Sequence, residues 1–253
     1  MTLAQATKQL MDLLQLPRAP VAVAFQATPP AGISRVTSPG PSGCTYWKLA
    51  ADGGTFYTEA ADHYPCPIGA HTHGVPLPPA QVQELEGVVG TMIGLGYLRP
   101  EEVVGIPQRQ GPFGVVLYAP LAEGAWEPDV ILLCGNAKQI MLLAEAAQAA
   151  GAAAESGLMG RPTCAAIPHV MQTGGSAASL GCIGNRVYTG LADDQLYFAL
   201  AGAQLGKVTE KLATIVHANQ ELEKYHRARQ AANPLGRRQI QDPTPKEVTV
   251  NVS

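Results

Sequence analysis

The sequence predicts an α/β fold: a mixed sheet with flanking helices, built as two weakly related halves around a central sheet. Three observations carry this expectation. Short apolar runs bounded by proline, glycine or polar turns alternate with longer stretches of helical periodicity. Two strings, "CPIGAHTHG" (66–74) and "CIGNRVYTG" (182–190), each run eight residues from a cysteine to a glycine, and each is preceded by another cysteine, Cys44 or Cys164, at separations of 22 and 18. Each cysteine pair also follows an apolar strand, "PVAVAF" or "PDVILLCG", so the chain reads as a duplication with repeats at 18–76 and 126–192.

The elements follow in order. Residues 3–15 read as an amphipathic helix with Leu3, Leu10, Leu13 and Leu14 on one face. "PVAVAF" (20–25) reads as a buried strand, and the Pro-, Gly- and Ser-rich run 27–43 as a loop. "CTYWKLAAD" starts a short helix and "GTFYTEA" is strand-like. Residues 79–98 form a helix with Val82, Leu85, Val89 and Ile93 at helical spacing. "GVVLYAPL" (114–121) and "PDVILLCG" (128–135) are strands, and 136–151 is a helix closed by Gly151. "QLYFALAG" (195–202) is a further strand, and 206–230 is a long helix. Residues 1–232 then make a single domain; 233–253 is a tail with "EVTVNV" as a possible edge strand.

Composition narrows the function classes. The chain is 46% apolar, enough for a core, and only 15% charged. So few charges point to surface buried against a partner. The stripe Val208, Leu212, Ile215, Val216, Asn219 and Leu222 on the long helix makes a homodimer surface the expectation, with a helix packed on its own domain as the open alternative. Net charge is −3 with no basic run, which leaves no footprint for nucleic acid. No stretch approaches the roughly 18 continuous apolar residues of a membrane span. The first helix lacks the charged start and compact apolar block of a signal peptide. The expected location is the cytoplasm, where structural disulfides are unusual, so the five cysteines need another role.

Cys134, inside "VILLCG", reads as a small buried hydrophobe. The other four sit beside residues that bend or free the backbone. Cys44 follows "PGPSG", Cys66 lies between two prolines, Cys164 follows "GRPT", and Cys182 lies between Gly181 and "IG". Such loops suit an iron–sulfur cluster, whose thiolates need backbone N–H donors aimed at sulfur. Glycine permits that approach, and proline after the ligand fixes the chain. No C-x-x-C knuckle of the kind zinc favours occurs. From spacing alone, four ordinary loop or core cysteines remain an open alternative.

The segments "CTYWKLAADGGTFYTEAADHYPCPIGA", "GRPTCAAIP" and "SLGCIGNRVYTGLADDQLYFAL" resemble the family catalogued as domain of unknown function 169, in the same order, over residues 5–225. The resemblance brings no activity or catalytic residue with it. It implies that the four cysteines in these strings belong to a family pattern. It also implies that "HTH" after "CPIGA" is this chain's own variant.

Three histidines, His63, His71 and His73, flank Cys66 within twelve residues. If 66–74 is extended, His71 and His73 share a face and reach one site; otherwise both are solvated loop residues. The absence of C-x-x-C-H excludes covalently attached haem, but a pocket with Cys66, His71 or His73 as axial ligand stays open. His169 is a weaker candidate. Glu59, Asp62, Asp193 and Asp194 are available carboxylates without a diagnostic spacing. Arg161 and Arg186 could offset thiolate charge, and Gly184 frees the backbone beside Cys182. Tyr46, Trp47, Phe56 and Tyr57 could shield a site from water or simply fill the core. No phosphate loop, dinucleotide fingerprint or nucleophile elbow is present.

The leading expectation is a [4Fe–4S] protein of cytoplasmic redox chemistry or electron transfer, working with a redox partner protein. Cys44, Cys66, Cys164 and Cys182 are its ligands; Gly184, Arg186, His71 and His73 surround them. The alternatives are a haem- or tetrapyrrole-binding protein, and a metal-free binding or structural protein.

Overall fold

The computed structural model describes residues 1–152 and 162–232. The expected tail, its edge strand "EVTVNV" and Arg161 lie outside the described residues. Contacts divide the chain into two units, Met1–Ala213 and Thr214–Ser253.

The first unit opens with α1 (Leu3–Leu14), started by a capping box in which Thr2 and Gln5 satisfy each other's backbone N–H groups. Next come β1 (Val21–Gln26), α2 (Gly43–Ala51), β2 (Phe56–Thr58), α3 (Ala60–His63) and α4 (Pro67–Thr72). The helices α5 (Pro79–Gly94) and α6 (Pro100–Val104) precede β3 (Val115–Pro120). The chain continues through β4 (Val130–Asn136), α7 (Ala137–Ala149), a short 3₁₀ turn at Thr163–Ala165, α8 (Ala166–Thr173), β5 (Ser176–Ser179), α9 (Ile183–Thr189) and β6 (Gln195–Ala201). The last element, α10 (Leu205–Ala232), begins in the first unit. Its residues Val208 and Leu212 are buried there, so they are not free for the expected dimer stripe, whereas Leu222 is exposed.

Among the described residues six strands form one sheet in the order β2-β3-β1-β4-β6-β5. The α/β class holds, but every named strand pair is antiparallel. Among the described residues the one parallel contact is an isolated bridge between Arg35 and Tyr57. Only such a bridge remains of the expected mixed strand directions.

The strand order reads the same from both edges. In each half the first strand is central, the second is a short edge strand, and the third is inserted between them. β1 and β4 pair antiparallel and join the halves, with Val21 opposite Leu132 and Val23 opposite Val130. The intervening pieces correspond as well. Cys44 at the start of α2 matches Cys164 in the 3₁₀ turn before α8, and Cys66 before α4 matches Cys182 before α9. The third strands, β3 and β6, lie beyond the repeat limits expected from sequence. Among the described residues three pieces have no counterpart: α7 belongs to the second half, and α3 and α5–α6 to the first.

Alternation along the strands sends Val21, Val23, Val116, Tyr118, Val130 and Leu132 to one face. There they pack with Tyr46, Trp47 and Ala50 of α2 and with Ile167 and Val170 of α8. Leu117, Ile131, Leu133 and Leu200 on the opposite face are buried too. Central strands covered on both faces explain the continuous apolar runs from which they were read.

Candidate functional site

The four loop cysteines come together. Cys44, Cys66, Cys164 and Cys182 all line one cavity of about 450 Å³. Each lies at or just before a helix start, where first-turn N–H groups lack intrahelical partners. Cys66 and Cys182 are the residues immediately before α4 and α9. Pro67 starts α4 because a helix's first residue needs no backbone N–H. The site crosses the joint between the halves: α2 packs on α9 and α4, and α4 packs on the 3₁₀ turn carrying Cys164.

All four are free thiols, with Cys44 and Cys164 buried and Cys66 and Cys182 half-buried. Polar neighbours meet them individually. Ser42 Oγ lies 3.1 Å from Cys44 Sγ. The Cys182 backbone N–H donates to Thr163 Oγ1 at 2.6 Å. Thr72 faces the Cys164 thiol, and Asn185 faces the Cys44 thiol. Gly69 leaves room for Cys66, since a Cβ there would stand 3.1 Å from its sulfur.

Burial pushes the Cys44 thiol above its ordinary pKa; Cys66 and Cys182 add to the rise, while Ser42 and Asn185 oppose it. Burial pushes Cys164 well above the thiol range, and Cys66, Cys182 and Cys44 push it further against Thr72. Neutral buried thiols are poor nucleophiles and poor partners in thiol exchange. A metal changes this, because coordination removes the thiol proton outright. Among the described residues, no three His, Cys, Asp or Glu side chains are arranged to hold one metal ion.

The histidines separate. Residues 67–72 form a helix rather than an extended run, so His71 and His73 do not share a face. His71 lines the cavity. His73 is 0% exposed and does not line it, contrary to both the ligand and the solvated-loop expectation. Its ring packs edge-on against His63 and Phe25, each at 5.6 Å between centroids. His63 Nε2 is 2.8 Å from Thr58 Oγ1. Its Nδ1 and both nitrogens of His73 have no hydrogen-bond partner among the described residues. Burial lowers the pKa of His63 to about 4; burial, then His63 and Arg109, lowers that of His73 to about 3. The pair lies behind Gly43, the residue before Cys44.

Other expected residues have structural work. Arg186 does not line the cavity; its guanidinium donates to the carbonyls of Leu180, Ala192 and Gln195, tying α9 to the start of β6. Its charge is thereby held on backbone carbonyls near Cys182 rather than in the cavity wall. Gly184 does line the cavity. Asp62 and Glu59 pair with Arg35 at 2.9 and 2.8 Å. His169 lies on α8 away from the cavity lining. Cys134 is a buried strand residue, as its apolar context implied. Tyr46, Trp47 and Phe56 are buried core, and Tyr57 is half-buried.

Sequence reading missed Asn185, which is 1% exposed, lines the cavity and has neither amide atom in a well-formed hydrogen bond. Its position three residues after Cys182, in the first turn of α9, was the available signal. Thr163, next to Cys164, was missed too. Among the described residues no helix is long and apolar enough to cross a membrane.

A family model for domain of unknown function 169, described as an uncharacterised ArCR, matches residues 9–211. No curated protein and no solved structure matches the chain.

Proposed function

The chain belongs to the domain of unknown function 169 family, and on that footing we propose that it is an iron–sulfur protein of redox chemistry or electron transfer. Cys44, Cys66, Cys164 and Cys182 would hold one [4Fe–4S] cluster. The observation that carries this reading is their convergence: four cysteines from four separate loops line a single cavity across the joint of two similar halves. Cys134, the fifth cysteine, stays in the core.

Four thiolates are the ligand set of a [4Fe–4S] cluster, each binding a different iron. Ser42 and Asn185 stand beside the Cys44 sulfur, in position for the kind of contact that tunes a cluster's potential, while the Thr72 hydroxyl donates to the Gly69 carbonyl. A bound cluster would supply one-electron exchange; the protein would supply four thiolates, donors to sulfur and exclusion of water.

The haem reading retains one point in its favour. A cavity of about 450 Å³ contains both Cys66 and His71, within the roughly 300–1,000 Å³ of small-molecule sites. The visible spectrum of protein purified without oxygen separates the readings. A broad shoulder supports the cluster, a sharp Soret band supports haem, and colourless, iron-free protein removes both.

A further inference from the structure

The cysteines occupy one side of the cavity; α5 and α6 build the other. This second wall belongs to the piece found only in the first half, so the duplicated cysteine loops do not account for it. α5 is sixteen residues long and has no fully buried side chain. Its apolar residues Leu85, Val88, Val89 and Met92 are only half-buried, and all four line the cavity. Helices in proteins draw most of their stability from packing an apolar face. Here that face meets open volume.

We infer that the chamber between α5–α6 and the cysteine loops is a binding site for an uncharged, mainly apolar small molecule. Such a ligand completes the burial of α5 and lies beside the cysteines. Val103 and Ile106 extend the same apolar wall. Exposed Glu84 and Glu86 stand at its rim and repel an anion. His71 and the Tyr188 hydroxyl supply polar groups that can orient the ligand. The site deepens the iron–sulfur reading, in which this molecule is the redox centre's substrate or effector, but its existence rests on the wall alone.

The test is titration of the full-length protein with Nile red, an uncharged fluorophore that brightens in apolar surroundings. Saturable binding at one site per chain is expected. Val89→Trp and Met92→Trp, which fill the chamber from α5, should each weaken binding at least tenfold without changing the thermal melt. Leu95→Ala, on an exposed residue outside the lining, should leave it unchanged. Anilinonaphthalene sulfonate, an anionic probe, should bind at least tenfold more weakly than Nile red. No saturable binding, full binding by both tryptophan variants, or equal binding of the anionic probe overturns the inference. So does an equal loss in Leu95→Ala, which would place the dye on the surface. The iron content of the same samples is read separately. Dye binding without iron keeps the chamber and removes the cluster; iron without dye binding does the reverse.

Discussion

The backbone N–H of Cys182 donates a 2.6 Å hydrogen bond to the hydroxyl of Thr163, the residue next to Cys164. One contact thus ties both cysteine loops of the second half. Thr163 is 1% exposed, so Thr163→Val leaves a shielded N–H without its partner. The expected cost is about 1–3 kcal/mol, read as a lower urea midpoint. Thr163→Ser, which keeps the hydroxyl, should recover most of it. Equal midpoints for Thr163→Val and the parent would deny the contact any weight.

Gly69→Ala separates cofactor binding from fold stability. Alanine is favoured over glycine within a helix by about 1 kcal/mol, so α4 itself gains. The new Cβ would sit 3.1 Å from Cys66 Sγ, tighter than ordinary contact, and displaces the sulfur. The variant should bind less iron than the parent while melting at the same temperature or higher. Undiminished iron content would show that Cys66 needs no such clearance.

The histidine pair sets an acid limit on stability. His63 and His73 have folded pKa values of about 4 and about 3, below the ordinary 6.5. The unfolded chain therefore takes up these protons first. Their contribution is complete above about 6.5 and is lost as pH falls through the window down to about 4 and then 3. Within that window each can remove up to about 1.4 kcal/mol per pH unit. His73→Leu, at a site where neither nitrogen has a partner among the described residues, should flatten the urea midpoint's dependence on pH. An unchanged slope would mean that His73 titrates normally.

What the sequence made legible, and what it hid, follow from local physics. β1, β3, β4 and β6 were readable because strands buried on both faces need continuous apolar runs. The cysteine loops were readable because their proline and glycine neighbours stand out from core patterning. β5 was not: "SAAS" lacks β-branched and aromatic residues, and its pairing with β6 supplies what propensity does not. α4 and α9 are short helices of six and seven residues, so periodicity had too few residues to register. That omission also misplaced His73, since residues two apart share a face on a strand but not on a helix. The hold on Arg186 was hidden because the carbonyls it meets come from a turn whose path the sequence did not reveal.

Asn185 and His71 should tune the centre rather than hold it. A donor aimed at cluster sulfur stabilises the reduced, more negative state. Asn185→Leu, beside Cys44, should therefore keep the cluster and move its midpoint potential negative in a redox titration. His71→Ala should also retain the cluster with a shifted potential. Loss of the cofactor in His71→Ala would reassign that residue as a ligand.

The central claim is that four cysteines share one cluster, and iron and acid-labile sulfide counted per chain after purification without oxygen test it most directly. Four irons and four sulfides are expected in the parent and in Cys134→Ser, whose thiol lies in the core. Each of Cys44→Ser, Cys66→Ser, Cys164→Ser and Cys182→Ser should lose the cluster or hold it weakly. An iron-free parent, or full iron and sulfide in Cys66→Ser, would contradict the account.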